Sequence, residues 1–217
     1  MTGREKDVPA EEAAGADGDR LVRREDFVAV MGSVCTPVAV VTAMAGARPH
    51  GTTVSAFASL SLDPPMLLVS LDRKSELLRH VRGARAFGVN VLGAGQSAVA
   101  AAFARKGDDK FEGVRWFLDT GVPRLPGCAG WLKCAVQRLV SGGDHVVVLG
   151  RVVAASHADV PPLTYHKRSF GTHQPRPVPA ADFAVGVRRL PATGTAGHES
   201  SPYDNASAWA LGWDGFS

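Results

Sequence analysis

The spacing of apolar positions changes along this chain, and each change marks an element. From Arg23, REDFVAVMGSV places Phe27, Val30, Met31 and Val34 at the three- and four-residue intervals of one helical stripe. After Pro37 the period shortens. PVAVVTAMA is a β-branched run ended by Gly46, and HGTTVSAF resumes beyond Pro49, so the two predict a hairpin. PPMLLVSLD predicts a strand begun sharply at Pro64–Pro65, and Ser75 stands as N-cap of a helix through SELLRHVRG that stops at Gly83. AFGVNVLG reads as a short buried strand, Gln96 to Phe103 as a small helix, and Lys106 to Gly113 as a charged connection. WLKCAVQRLV and HVVVLGRVVAASHA flank SGGD, whose glycines suit a tight hairpin turn, and PPLTYHKRSF follows as a last edge segment.

Strands joined by hairpin turns, with few short helices, predict a mainly β protein: an antiparallel barrel with helical decorations. The ordered domain is placed at residues 21–170. Residues 1–20 are acidic and Ala/Gly-rich, too poor in large apolar groups to offset the entropy of ordering. From about Gly171 to Ser217 the chain turns Pro-, Gly-, Ser- and Thr-rich, which predicts a flexible tail. That tail ends in Trp209, Leu211, Trp213 and Phe216, either a docking segment or a loosely ordered end.

Composition narrows the function by exclusion. Hydrophobic residues make up 45% of the 217, enough for one substantial core, and the formal charge of +3 gives no case for nucleic-acid binding. Cys35, Cys128 and Cys134 form no metal-ligand pattern and, being odd in number, no disulfide framework; they read as reduced thiols. With neither an apolar leader nor a run of about 20 apolar residues, a cytoplasmic location away from membranes is expected. GxSxG, HExxH, a phosphate-binding GxxxxGK[ST] and GxGxxG are all missing, and the seven histidines are scattered.

The one dense stretch is HGTTVSAFASLSLDPPMLLVSLDRKS, His50 to Ser75. Its hydroxyls, with backbone N–H groups from turns, suit a phosphate or the polar edge of a heterocycle, and Arg73 and Lys74 could meet the same anion. Residue chemistry alone leaves this open against a solvated, strand-rich surface.

HGTTVSAFASLSLDPPMLLVSL, followed in order by FGVNVL, the DDKF region, GGDHVVVLGRV and PPLTYHKRSF, resembles the flavin reductase-like, FMN-binding split-barrel family over roughly residues 23–170. In style it is nearest to the small reductase partners of two-component flavin monooxygenases. The resemblance implies an antiparallel split β-barrel, a homodimer, and NADH- or NADPH-dependent reduction of FMN or FAD for a partner flavin-dependent monooxygenase. It also implies site residues. Thr52, Thr53, Val54, Ser55 and Ala56 would run beside the isoalloxazine. Ser59, Ser61 and Leu62 would cup the ribityl-phosphate arm, with Arg73 and Lys74 at the phosphate and Asn90 bordering the same pocket. His145 would orient the nicotinamide, and Tyr165 and Phe170 would shape the cleft. One departure stands out: His166, Lys167 and Arg168 occupy a region that family members fill with aliphatic and aromatic groups. They suit either a phosphorylated nicotinamide nucleotide or a solvated edge. Other readings are a split-barrel enzyme that keeps its flavin and acts on an organic substrate, a non-enzymatic flavin or haem carrier, and an interaction module supported only by the aromatic tail.

Overall fold

A computed structural model describes residues 22–107 and 109–175. The expectations for residues 1–20 and for the aromatic segment around Trp209–Phe216 lie outside the described residues. No helix among those described is long and apolar enough to cross a membrane.

Seven strands form one antiparallel sheet. They are β2 (Ala39–Ala45), β3 (Arg48–Val54), β4 (Phe57–Leu62), β5 (Pro65–Asp72), β6 (Ala86–Val91), β9 (Gly130–Gly142) and β10 (His145–His157). Their order is β3-β2-β6-β9-β10-β5-β4. The strands at the two ends of that order, β3 and β4, are neighbours in the chain, separated only by Ser55 and Ala56. They do not pair with each other. The sheet therefore curls until its edges meet at a two-residue corner, fastened where the Ser70 N–H donates to the Ala56 carbonyl at 2.9 Å. This is the antiparallel split barrel expected from the sequence. A small sheet of β1 (Thr36–Pro37), β11 (Leu163–His166) and β12 (Ser169–Thr172) stands apart, as does a hairpin of β7 (Phe117–Asp119) and β8 (Val122–Arg124), for which no strand was expected. β12 takes in Gly171 and Thr172, so the last strand ends beyond the expected onset of the tail.

Side-chain alternation divides the core. Ala39, Val41 and Ala43 of β2 join Leu67, Val69, Leu71, Phe87, Val89, Val146 and Val148 in the barrel interior. Val38 and Val40, facing the other way, pack with Leu92, Phe103, Leu125 and Leu163. β2 is thus covered on both faces, which explains its unbroken apolar run. Gly150 permits a close interior contact, because a Cβ there would lie 2.6 Å from Phe87 Cζ.

α2 (Glu76–Ala84) adds Leu77, Leu78 and Val81 to the interior cluster. Ser75 holds the N-cap position as expected, but its hydroxyl makes no cap bond, and Arg85, in the left-handed region, ends the helix in place of Gly83. Burying three aliphatic side chains contributes about 1.5–3 kcal/mol each, against about 1 kcal/mol for a cap, so packing holds this helix. α1 (Arg24–Gly32) is the opposite case. Phe27, Val30 and Met31 of the predicted stripe fall on the helix and Val34 just beyond it, yet all four are 45–66% exposed and none reaches the core. The β11–β12 turn also breaks a local rule: Lys167 and Arg168 both adopt positive φ, at 46° and 63°. That backbone costs a non-glycine residue about 1–2 kcal/mol.

Burial pushes the Cys128 thiol up to about 11 and the Cys134 thiol to about 12, whereas Cys35 is exposed. At pH 8 the native protein should therefore release one equivalent of thionitrobenzoate rapidly with Ellman's reagent, and three in denaturant. A fast second equivalent before unfolding would show the barrel to be looser than described.

Candidate functional site

The corner between β3 and β4 lines a cavity of about 280 Å³. Thr52, Thr53, Val54, Ser55 and Ala56 form one wall, and Ser70, Asp72, Ser75 and His145 contribute the other. His145 lies far along the chain, yet β10 begins with it and pairs it with Asp72 of β5. Its Nδ1 sits 2.8 Å from the Asp144 carboxylate. A carboxylate only accepts, so Nδ1 is the donor in this contact. That hydrogen bond, and then the imidazole's charge, hold the Asp144 carboxyl below its ordinary range, with Arg24 of α1 adding to the effect. The pair is accordingly present at neutral pH and is lost on acidification through the lowered value.

β3 pairs only with β2, so the peptide groups on its free side have no ladder partner. On β3 itself this leaves backbone groups of Thr52–Val54 open on that side, whereas the Ala56 carbonyl beyond the strand is taken by the Ser70 N–H. Thr53 differs in its side chain: the hydroxyl donates to the Ala100 carbonyl at 2.7 Å and so docks α3 (Ser97–Ala104) onto β3. Phe103 of α3 lies where only a glycine fits beneath it, since a Cβ on Gly51 would be 2.8 Å from its ring.

A larger cavity, about 500 Å³, shares Thr52, Asp72 and Ser75 with the first and adds His50, Lys74, Arg105, Lys106 and Lys110. Lys110 Nζ also donates to the Phe103 carbonyl. The N-terminal turn of α2 enters here with its uncapped N–H groups, so helix dipole and lysines make one end of the groove attractive to an anion. Lys74, expected at a phosphate, lines this cavity. The cations from 105 to 110 were legible only as a charged connection, because nothing in their spacing says that α3 returns them to Lys74.

Several expected residues fall elsewhere. The Arg73 guanidinium is engaged by the Gly143 carbonyl at 2.6 Å, and its N–H bonds the Asp144 carbonyl at 3.0 Å. It fastens the turn that carries His145 and lines neither cavity. Ser59, Ser61 and Leu62 pair with Leu67, Met66 and Pro65, about 17–23 Å along β5 from Asp72, and line neither cavity. Asn90 is fully buried. Its amide donates to the Val40 carbonyl at 3.1 Å, while its oxygen accepts the Leu125 N–H at 2.8 Å. It fixes the 122–125 segment to the barrel and borders no pocket with Thr52–Ala56. Tyr165 and Phe170 face each other across the β11–β12 hairpin with ring centroids 5.3 Å apart. Tyr165 lines a third cavity, about 590 Å³, bounded by α1 and the hairpin and meeting the first at Ser55; Phe170 is not among its lining residues.

The model for the flavin reductase like domain matches residues 31–174. A probable flavin reductase of Rhizobium meliloti is 38% identical over 65% of this chain, which spans 46% of that protein's length. The reductase component of a 4-nitrophenol and 4-nitrocatechol monooxygenase of Rhodococcus opacus is 36% identical over 70% of this chain and 82% of its own length. Among solved structures, an NADH:FAD oxidoreductase of Streptomyces globisporus aligns with a TM-score of 0.66 at 34% identity, covering 71% of this chain and 98% of that one.

Replacing Asn90 tests its reassignment. Asn90→Ala leaves the buried Leu125 N–H without a partner and should lower stability by about 1–3 kcal/mol, read from the denaturant midpoint. A loss of ligand affinity at full stability would return Asn90 to the pocket.

Proposed function

Because this chain belongs to the flavin reductase-like domain family, we propose that it is an NAD(P)H:flavin oxidoreductase that reduces FMN or FAD and supplies the reduced flavin to a separate flavin-dependent monooxygenase. The observation that carries the reading is the cavity joining Thr52–Ala56 to His145, continuous with a basic cavity at the α2 N-terminus. The donor set fits a flavin nucleotide. An edge strand with free peptide groups suits the polar rim of the isoalloxazine, and Lys74, Arg105 and Lys106 beside the helix N-terminus suit its phosphate. Ser59, Ser61, Leu62, Arg73 and Asn90 line neither cavity, and this reading does not rest on them.

When bound, flavin accepts at N5 a hydride from C4 of the reduced nicotinamide. No protein base is needed for that transfer. The chain's task is to bring two rings into register and keep water out of the gap, and this alignment is the main source of rate. His145, held by Asp144 and by the Arg73-fastened turn, orients the nicotinamide. An open groove lets the product leave, as supply to a second enzyme requires.

Copies of the chain pair through the β4 edge. Leu60 and Leu62 are 45% and 68% exposed there, and Val153 of β10 adds to the same end of the sheet. Light scattering on a sizing column should give a dimer, and Leu62→Glu should shift it toward monomer; a monomeric wild type would end this assignment.

Adding NADH or NADPH with FMN or FAD should produce catalytic loss of nucleotide absorbance. Failure with every pairing would sink the reductase reading. His145→Ala should raise the KM for nucleotide about tenfold or more while moving flavin Kd less than about threefold. Equal losses of both would remove His145 from its role.

A further inference from the structure

The third cavity is chemically unlike the other two. It is lined by Phe27 and Met31 of α1, by Val34 just beyond that helix, by Tyr165 and His166, and by the cations Lys167 and Arg168, with no carboxylate among its lining residues. The basic cavity, by contrast, holds Asp72 and Glu76 among its lysines. An aromatic and aliphatic floor beside uncompensated cations matches an adenosine that carries phosphates: the base lies on apolar surface and the charge meets Lys and Arg.

The turn itself points the same way. A two-residue hairpin connection with both backbones left-handed is best filled by Asn-Gly. Here Lys167 and Arg168 occupy it at φ 46° and 63°. A sequence that keeps two strained cations in place of the relaxed pair holds charge where turn chemistry alone would not put it. The turn is also held in register with α1, because the Lys167 N–H donates to the Gly32 carbonyl at 3.2 Å.

Two links tie this cavity to the place where the nicotinamide would lie. Ser55 lines both. Arg24, at the other end of α1, is close enough to bias the Asp144 carboxylate that orients His145. A dinucleotide with its nicotinamide at His145 can thus run along α1 and bring its adenosine to the β11–β12 turn.

We propose that this cavity is the adenosine 2′-phosphate subsite of the hydride donor, with Lys167 and Arg168 selecting NADPH over NADH. The inference rests on the reductase reading and assigns that reaction's nucleotide.

The test replaces the turn by its relaxed form, Lys167→Asn with Arg168→Gly, in the full chain. Removing both cations this way relieves the backbone, so the variant should fold at least as well as the wild type. Calorimetry should show wild-type protein binding 2′,5′-ADP about tenfold or more tighter than 5′-AMP, and the variant losing that advantage. The ratio of kcat/KM for NADPH to that for NADH should fall by about tenfold or more in the variant. Equal binding of the two probes to wild type, or an unchanged ratio in the variant, would overturn the subsite. A wild type that oxidises neither nucleotide with flavin fails the reductase reading instead; one that oxidises both with no turn-dependent preference fails only this inference.

Discussion

Everything in the site depends on the way the barrel closes. A seven-stranded antiparallel sheet has two edges, and here the chain walks from one to the other through Ser55 and Ala56 without pairing them. Closing the ladder would have consumed the peptide groups of β3. Leaving it split keeps them free along one side, next to a corner too short to wander and fastened by Ser70 to Ala56. Side chains from β5, β10 and the start of α2 can reach that corner only because the sheet curls onto itself. The cavity is therefore a product of topology first and of residue choice second.

The same strands show how strictly alternation separates support from chemistry. Thr52 and Thr53 are adjacent, but the Thr53 hydroxyl turns to α3 and holds that helix, with Phe103 seated over Gly51. Thr42 and Asn90, equally polar, are buried with the 122–125 segment: the Thr42 hydroxyl donates to the Pro123 carbonyl at 2.7 Å. Gly88 leaves room for that contact, since a Cβ there would lie 2.6 Å from Thr42 Oγ1. Polar groups in apolar surroundings must be bonded or they cost stability, so these two are locked by structure and have nothing left for a ligand.

The strands, the hairpin at SGGD and the helix after Ser75 were legible because period and turn chemistry are local. The stretch Thr52–Ala56 stood out only through the family resemblance, and the structure sets it along one cavity with His145. What could not be read was orientation and return. Arg73 and Lys74 are neighbours in sequence, yet one fastens the His145 turn and the other faces the basic cavity. Ser59 and Ser61 belong to the same dense hydroxyl stretch as Thr52, but the chain has by then turned the corner and runs away from the cavity. Phe27 and Met31 were legible as a helix stripe but not as an exposed one, because a stripe says which residues share a face and not what covers it. β7 and β8 carry only three residues each, too few for a period to register.

α1 is tied at its C-terminal end, where the Gly32 carbonyl accepts the Lys167 N–H, and buried nowhere. A segment with so little apolar contact opens at almost no free-energy cost, independently of the barrel, and its amides should be among the first to exchange. Whatever settles on its open face must also organise it, and part of the contact energy goes into that ordering. In the proposed subsite a nucleotide is therefore held specifically but briefly. For a catalyst that must discharge an oxidised cofactor and clear its groove at every cycle, a floor that its occupant has to order gives up affinity, and so shortens residence, while the choice between occupants is kept.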